Sequence, residues 1–307
     1  MKLTDAFDGY WLERRRNFSH KTTSQYEWLF KYALEFFGDI DIAHATSDQI
    51  RHWLNWLKEE KKLAPKTCSN AWAALSSFFT WAENELSLSH PMRDRVACPS
   101  VPPPAIDYYS QVELLAMVQA CELGDTWHSR TGTPARSTRP SAARDKAIIT
   151  TLLDTGLRAS ELTALKIADY DNGTGKIIVR RGKGSKFRVV YVGQSARRAI
   201  WRYMATRDNR SPNAPLFATR TDTQLDIDNL RSTIKRIAKR AGVPKANLHR
   251  FRHTFAINFL RNGGSPLELK EMLGHSKMDT VLIYVRLAEV DLQRAQQIAS
   301  PADNWQL

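Results

Sequence analysis

The sequence predicts a mainly α-helical protein with a small β-sheet, an α+β fold in two domains. Apolar residues recur at helical spacing through about the first ninety residues, and two short alternating segments, Gly175–Arg181 and Phe187–Val192, occur only later. The proline-rich stretch Ala97–Ser110 separates the two regions. A chain of 307 residues is long enough for two cores.

The first domain is predicted to be all-helical. Its third helix begins with a capping box formed by Thr46 and Gln49, and its second ends at Gly38. The bulky apolar residues at helical spacing are expected to form the core between helices. The four predicted helices cover Leu3–Arg15, Lys21–Gly38, Thr46–Glu60 and Ala64–Glu85.

Three successive prolines make Ala97–Ser110 extended and semi-rigid, as expected of a linker between domains. Ser110 and Glu113 then form a second capping box, which starts a new helical region. We therefore place the first domain at 1–96, the linker at 97–107 and the second domain at 108–307.

The second domain mixes helices with one β-hairpin. The alternating segments flank Gly182–Lys186, so they form a hairpin with a five-residue connection. Further helices are predicted over Asp145–Gly156, after Ser195, over Asn229–Gly242, over Leu248–Gly264 and over Ser265–His275. The helix 229–241 is expected to bury Leu230, Ile234, Ile237 and Ala241 and to expose Arg231, Lys235, Arg236, Lys239 and Arg240.

The segment Thr126–Arg144 has no periodicity and is rich in Ser, Thr, Pro and Arg. It is predicted to be an exposed, mobile, basic loop. Contact with phosphate and a plain surface insertion are equally compatible with its composition.

The charge balance of 45 Lys and Arg against 32 Asp and Glu gives +13 and a pI near 9.7, which points to a polyanionic partner. No apolar run approaches the roughly 20 residues of a membrane span. The N-terminus has no signal-peptide pattern, and Cys68, Cys98 and Cys121 lack metal-ligand spacing. A cytoplasmic, nucleoid-associated protein is expected.

Several cationic, imidazole and phenol groups fall where predicted elements begin or end. Two guanidiniums can bind the oxygens of a phosphodiester, imidazoles can move a proton, a lysine can protonate a leaving oxygen, and a tyrosine can attack phosphorus. Each residue alone has an ordinary alternative: a helix cap, a hairpin-tip lysine, a core tyrosine. The set consists of Arg158, Lys183, His249, Arg252, His275 and Tyr284.

Four segments resemble the sequence boxes of the tyrosine recombinases, the phage-integrase and Xer group. They follow in order along the second domain, and the helical first domain is similar to the family's SAM-like core-binding domain. The segments are TGLRASEL (155–162), GKGSKFR (182–188), HRFRHTFA (249–256) and LGHSKMDTVLIY (273–284).

The resemblance implies site-specific DNA recombination through a 3′-phosphotyrosine and a Holliday junction, without metal, ATP or another cofactor. It implies that Tyr284 is the nucleophile and that Arg158 and Arg252 clamp the scissile phosphate. Lys183 would be the general acid, His249 would assist proton transfer, and His275 would bond a phosphate oxygen. Glu161 would orient the arginine or a neighbouring histidine.

The implied partner is a double-stranded DNA site held in a C-shaped clamp. The C-terminal stretch at about 287–300 resembles the exchange helix through which family members form a synaptic tetramer, and an accessory or partner recombinase is compatible. Lys21, Lys66, Arg231, Lys235 and Lys239 are the DNA-contact candidates.

Three other interpretations stay open. A non-catalytic DNA-binding protein derived from a recombinase would bind DNA without forming a covalent adduct. A type IB topoisomerase would relax supercoils without a specific site. An RNA-binding or structural basic protein would explain the charge but not the ordered boxes.

Overall fold

The chain folds into two compact units, Met1–Ala105 and Ile106–Leu307. The structure is a computed structural model, and it describes residues 1–102, 105–122, 127–128, 134–135, 139–180, 187–275, 277–288, 296 and 300–304. The division falls inside the stretch that the sequence assigns to the linker.

The N-terminal unit is helical, as predicted. The Thr46–Gln49 capping box is present, Pro65 occupies the first turn of its helix, and Gly38 ends another with a φ of 68°. These local signals fix where the chain enters and leaves each helix. The helices are α1 (Leu3–Arg14), α2 (His20–Phe37), α3 (Ser47–Glu59) and α4 (Pro65–Leu86).

Aromatic side chains dominate the core of this unit. The rings of Phe7 and Phe30 stack with centroids 4.2 Å apart, and Phe78 packs beside both. Tyr10 lies edge-on to Phe78 and Trp81. Such rings bury a large area each, so a small unit gains a sizeable core from few residues.

The C-terminal unit combines helices with a small sheet. Predicted stops are observed: Gly156 ends α6 in the left-handed region, and Gly274 ends α11 in the same way. The helices are α5 (Gln111–Glu122), α6 (Ala142–Thr155), α7 (Ala159–Ala164), α8 (Gln194–Ala205), α9 (Ile227–Arg240), α10 (Leu248–Arg261), α11 (Pro266–Leu273), α12 (Asp279–Ala288) and α13 (Pro301–Asn304).

The predicted hairpin is the larger part of an antiparallel three-stranded sheet. The strands, in spatial order, are β3 (Tyr170–Asp171), β4 (Lys176–Arg180) and β5 (Phe187–Tyr191). Ile178 pairs with Val189, and Ile177 and Val190 face the core. The hairpin connection at 181–186 lies outside the described residues. The two-residue strand β3 was not predicted, because it is too short to show alternation.

The loop prediction for Thr126–Arg144 is wrong at its C-terminal end. Helix α6 begins at Ala142, and the buried carboxylate of Asp145 binds Arg139 and Arg144. A two-residue antiparallel pair, β1 (Trp127–His128) with β2 (Pro134–Ala135), also lies in this segment. The other residues between 123 and 138 lie outside the described part of the chain.

The burial pattern predicted for α9 is correct except at its C-terminal end. Ala238 is buried there, while Ala241 is only partly buried. Arg240, which was expected to face outward, is partly buried and donates from Nε to the carbonyl of Ala120. The last turn of α9 thus packs against α5, and the hydrogen bond of Arg240 is part of that contact.

Membrane spans and metal clusters are both absent from the part of the chain that the structure describes. Among those residues, no helix is both long and apolar enough to span a bilayer. Over the same described ranges, no cluster of three His, Cys, Asp or Glu side chains is arranged to hold a metal ion.

Candidate active site

Arg158 lies at the corner where α6 ends and α7 begins. The corner requires Gly156, whose φ is 59° and whose missing Cβ would lie 2.5 Å from the ring of Phe255 and 2.9 Å from Leu273. Arg158 occupies the N-cap position of α7, where its backbone N–H donates to Glu161 Oε2 at 2.8 Å. Its Nη1 donates to Glu161 Oε1 at 3.1 Å and to the carbonyl of Leu273 at 3.5 Å. The corner therefore places a partly exposed guanidinium beside α11.

Glu161 is the common acceptor of two arginines. Arg188, on β5, binds both oxygens of the carboxylate at 2.8 Å, and it also donates from Nε to the carbonyl of Met272 at 2.7 Å. Burial raises the pKa of Glu161, but hydrogen bonds and charge from Arg188 and Arg158 outweigh burial and lower that pKa to about 2. Glu161 is thus ionised at neutral pH.

Arg252 is the buried guanidinium of the site, with 4% of its surface exposed. It donates to the carbonyls of Gly156 and Leu273, each at 2.8 Å. Burial, and then the charge of Arg158, lowers the pKa of Arg252 to about 10, so the guanidinium stays protonated at neutral pH. Arg158 and Arg252 both reach the carbonyl of Leu273, which brings the two cations together.

His275 follows the left-handed glycine that ends α11, and its side chain contacts Arg252. Its Nε2 lies 2.6 Å from Nη2 of Arg252, and because a guanidinium can only donate, Nε2 accepts. Burial and the neighbouring arginines lower the pKa of His275 to about 4, so the ring is neutral at pH 7. The hydrogen is then on Nδ1, which is buried and, within the described residues, has no hydrogen-bond partner.

Tyr284 lies on α12 in an apolar cluster that includes Phe255 and Val281. Its hydroxyl is 2.9 Å from Nδ1 of His253 on α10. Burial raises the pKa of Tyr284, and the charges of Arg252 and Arg158 oppose that rise. A buried tyrosine with its hydroxyl bonded to a neighbour is also how a core residue looks, so packing alone does not assign this residue a role.

His249 and Lys183 are placed differently from the others. The side chain of His249 is exposed on the first turn of α10, and its ring centroid is 6.4 Å from that of His253. Lys183 lies in the hairpin connection, outside the described residues. The structure therefore brings Arg158, Glu161, Arg252, His275 and Tyr284 into one cluster, with His249 at its edge.

Sequence reasoning missed two residues of this cluster, Arg188 and His253. Arg188 is part of the segment GKGSKFR, but nothing local marks it as the partner of Glu161, 27 residues away. His253 lies four residues after His249, and this spacing on a helix places both imidazoles on one face. That spacing was the available signal.

The DNA-contact candidates are exposed in both units. Lys21 and Lys66 lie in the first turns of α2 and α4. Lys235 and Lys239 are exposed on α9, where Arg231 forms an ion pair of 2.7 Å with Asp228.

Family comparisons cover both units. The sequence model of the phage integrase family matches residues 128–290, more than half of the chain. The model of the phage integrase N-terminal SAM-like domain matches residues 5–85.

Curated relatives and solved structures agree with these matches. The tyrosine recombinase XerC of Corynebacterium efficiens is 30% identical over 85% of this chain and 80% of its own length. XerC of Bifidobacterium longum is 30% identical over 97% of each chain. The Tn1549 transposon integrase, solved in complex with transposon right end DNA, has the same fold, with a TM-score of 0.75 and 21% identity over 98% of this chain and all of that one. The chain belongs to the phage integrase family, the tyrosine recombinases.

Proposed function

We propose that the protein cuts and rejoins double-stranded DNA at a specific site, with Tyr284 as the nucleophile. The observation that carries the proposal is the convergence of Arg158, Arg252 and His275 near the hydroxyl of a buried tyrosine, in a chain whose relatives are named tyrosine recombinases. These are the groups that attack on a phosphodiester requires.

The two guanidiniums would bind the non-bridging oxygens of the scissile phosphate. Arg252 is fixed by two backbone carbonyls and Arg158 by Glu161, so neither needs to reorganise when charge builds up on phosphorus. The free Nδ1–H of His275, buried and unpartnered among the described residues, is suited to donate to one of the same oxygens. We assign these three residues to transition-state stabilisation.

Strand cleavage then proceeds by direct displacement. The Tyr284 oxygen forms a bond to phosphorus, the bond from phosphorus to the 5′ oxygen breaks, and the product is a 3′-phosphotyrosine ester with a free 5′-OH. The resemblance assigns the proton donor for the 5′ oxygen to Lys183, and it assigns assistance with proton transfer to His249. The ester is close in energy to the diester, so rejoining needs no ATP.

The basic chain is suited to a DNA partner. The net charge of +13 favours a polyanion, and exposed lysines in both units, including Lys66 and Lys235, can contact phosphates. Relatives solved with DNA include the Tn1549 integrase and a XerH recombinase bound to its difH substrate. The proposed assembly is a tetramer joined through the segment 287–300, most of which lies outside the described residues.

Covalent trapping tests the proposal. Wild type and Tyr284→Phe are incubated, without metal, with a nicked substrate whose short 5′ fragment diffuses away after cleavage. A 3′-linked adduct on a denaturing gel that forms with wild type and disappears in the variant is the expected result. Equal, salt-dependent DNA binding without any adduct would instead favour the non-catalytic DNA-binding protein.

Relaxation of supercoiled DNA that lacks a specific site, by wild type but not by Tyr284→Phe, would indicate topoisomerase activity. The compact helical first unit and the XerC relatives argue for the recombinase.

A further inference from the structure

A third histidine, outside the set that the resemblance assigns, contacts the hydroxyl oxygen that is proposed to react. Nδ1 of His253 lies 2.9 Å from the Tyr284 hydroxyl, and the centroids of the two rings are 5.7 Å apart. Helices α10 and α12 pack together through Phe255, Leu260 and Val281, and this apolar contact sets the distance between the two polar groups.

The phenol needs a proton acceptor. Burial raises the pKa of Tyr284, and the charges of Arg252 and Arg158 do not reverse that rise. The hydroxyl is therefore protonated at neutral pH, and it must lose its proton as the bond to phosphorus forms. The acceptor must lie within hydrogen-bond reach of the oxygen.

His253 is kept neutral and able to accept. Burial lowers its pKa, and the neighbouring His249 and Arg252 lower it further, while Asp107 opposes them. Of the described residues, these groups and Tyr284 act on His253 from α10, α12 and the segment before α5. With its hydrogen on Nε2, the ring presents the Nδ1 lone pair to Tyr284.

We propose that His253 is the general base that takes the Tyr284 proton during cleavage and returns it during rejoining. In cleavage, the hydroxyl proton moves to Nδ1 of His253, and the phenol oxygen forms its bond to phosphorus. The electron pair of the broken bond stays on the 5′ oxygen, which receives a proton from Lys183. Rejoining reverses each transfer. This inference rests on the proposed function, because it needs Tyr284 as the nucleophile.

The implied role of His249 changes accordingly. His249 is exposed, and its ring lies one helical turn before His253. From that position it influences the charge of His253 through space, while His253 holds the phenol.

Substitution by asparagine separates proton transfer from hydrogen bonding. The Oδ1 of asparagine lies near the position of Nδ1 and accepts a hydrogen bond, but it does not take a proton at neutral pH. Single-turnover adduct formation on the nicked substrate is measured from pH 5 to 9 for wild type, His253→Asn and His253→Ala. His52→Asn, which changes an exposed histidine of α3, is the matched control.

The wild-type rate is expected to fall as the pH drops through the pKa of His253. Both His253 variants are expected to cleave at least about 100-fold more slowly than wild type at pH 7.5, and to lose this acid-side dependence. A His253→Asn protein with wild-type rate and pH profile would overturn the proposal and leave His253 as a hydrogen-bond partner only. Unchanged melting temperature and DNA affinity show that the variants are folded.

A substrate with sulfur in place of the bridging 5′ oxygen provides a second readout, because a thiolate leaves without a proton. This substrate is expected to restore cleavage by Lys183→Ala but not by His253→Asn. Equal rescue of both variants would place His253 on the leaving-group side and overturn the proposal. If wild type forms no adduct on either substrate, the proposed function itself fails; if only the His253 results differ from expectation, Tyr284 keeps its role.

Discussion

The two units bury different kinds of side chain. Among residues 1–102 and 105, the described part of the N-terminal unit, no charged side chain is buried, and aromatic rings fill the core. The described part of the C-terminal unit buries Asp145, Asp169, Arg207, Arg250 and Arg252, each with polar partners. Burying a charge is costly unless it is paired, so the C-terminal unit keeps cations inside only where a network holds them. The core of the first unit therefore depends on aromatic packing, and that of the second depends also on buried ion pairs.

The aromatic core is most sensitive to truncation. Phe78→Ala removes a fully buried ring that packs against Phe7, Phe30 and Trp81, and it is expected to destabilise the N-terminal unit by about 3–5 kcal/mol. Hydrogen exchange measured by mass spectrometry on the full chain would localise the destabilisation to residues 1–96. Leu12→Ala, at a residue 86% exposed, is the control and should change little. Equal loosening of both units would show that their stabilities are coupled.

Two buried arginines of α10 allow a cation with a proposed catalytic role to be compared with one that has a structural role. Arg252→Ala removes a proposed phosphate ligand, and adduct formation is expected to slow by about 10²–10³-fold, equivalent to about 3–4 kcal/mol. Arg250 instead binds Glu113 at 3.1 Å and stacks on Tyr109, 3.9 Å from its ring centroid. Arg250→Ala is expected to lower the melting temperature while the folded protein cleaves within a few-fold of wild type. Similar reductions in rate for both variants would remove the distinction.

Glu161 makes the stability of the C-terminal unit depend on pH. Its folded pKa of about 2 lies below the ordinary 4.5, so its contribution is present above pH 4.5 and disappears as the pH falls toward 2. Glu161→Gln is expected to reduce the free energy of unfolding by about 3 kcal/mol at pH 7, and by progressively less below pH 4.5. Denaturant titrations from pH 3 to 7, with Glu60→Gln as an exposed control, measure this difference. If the difference in the free energy of unfolding between wild type and Glu161→Gln stays constant over that range, the expectation is wrong.

The surface lysines test whether both units bind DNA. One double variant combines Lys21→Ala with Lys66→Ala, and another combines Lys235→Ala with Lys239→Ala. Each is expected to reduce the slope of log affinity against log salt by about 0.9 for every DNA phosphate that the protein no longer neutralises. Lys58→Ala is the control, since Lys58 is paired with Glu59 at 3.0 Å. A slope that changes for one pair alone would assign DNA binding to one unit.

The sequence predicted helix limits well because local groups decide them. The Thr46–Gln49 and Ser110–Glu113 boxes and the stop at Gly156 are all observed. It indicated the candidate site residues only through a family resemblance, because their hydrogen bonds join distant segments. Arg252 reaches a carbonyl 96 residues away, and nothing in the local pattern encodes that pairing.

The partners of buried polar and charged groups were not predicted. Arg188 binds Glu161, and His253 binds Tyr284 across 31 residues. Arg240 was expected to face solvent, yet it caps the carbonyl of Ala120. Each case depends on which helix packs against which, and hydrophobic periodicity gives the face of a helix but not its neighbour.

The Glu161 carboxylate, which two arginines share, sets the net charge of the site and so its preference between phosphate groups of different charge. Arg188 and Glu161 neutralise each other, so the cluster of Arg158, Arg188, Arg252 and Glu161 carries two positive charges in excess. A DNA diester brings one negative charge, whereas five-coordinate phosphorus brings two. These four side chains would therefore attract the doubly charged transition state more strongly than the singly charged bound substrate. Inorganic phosphate and sulfate dianions also carry two negative charges and should compete with DNA for this cluster.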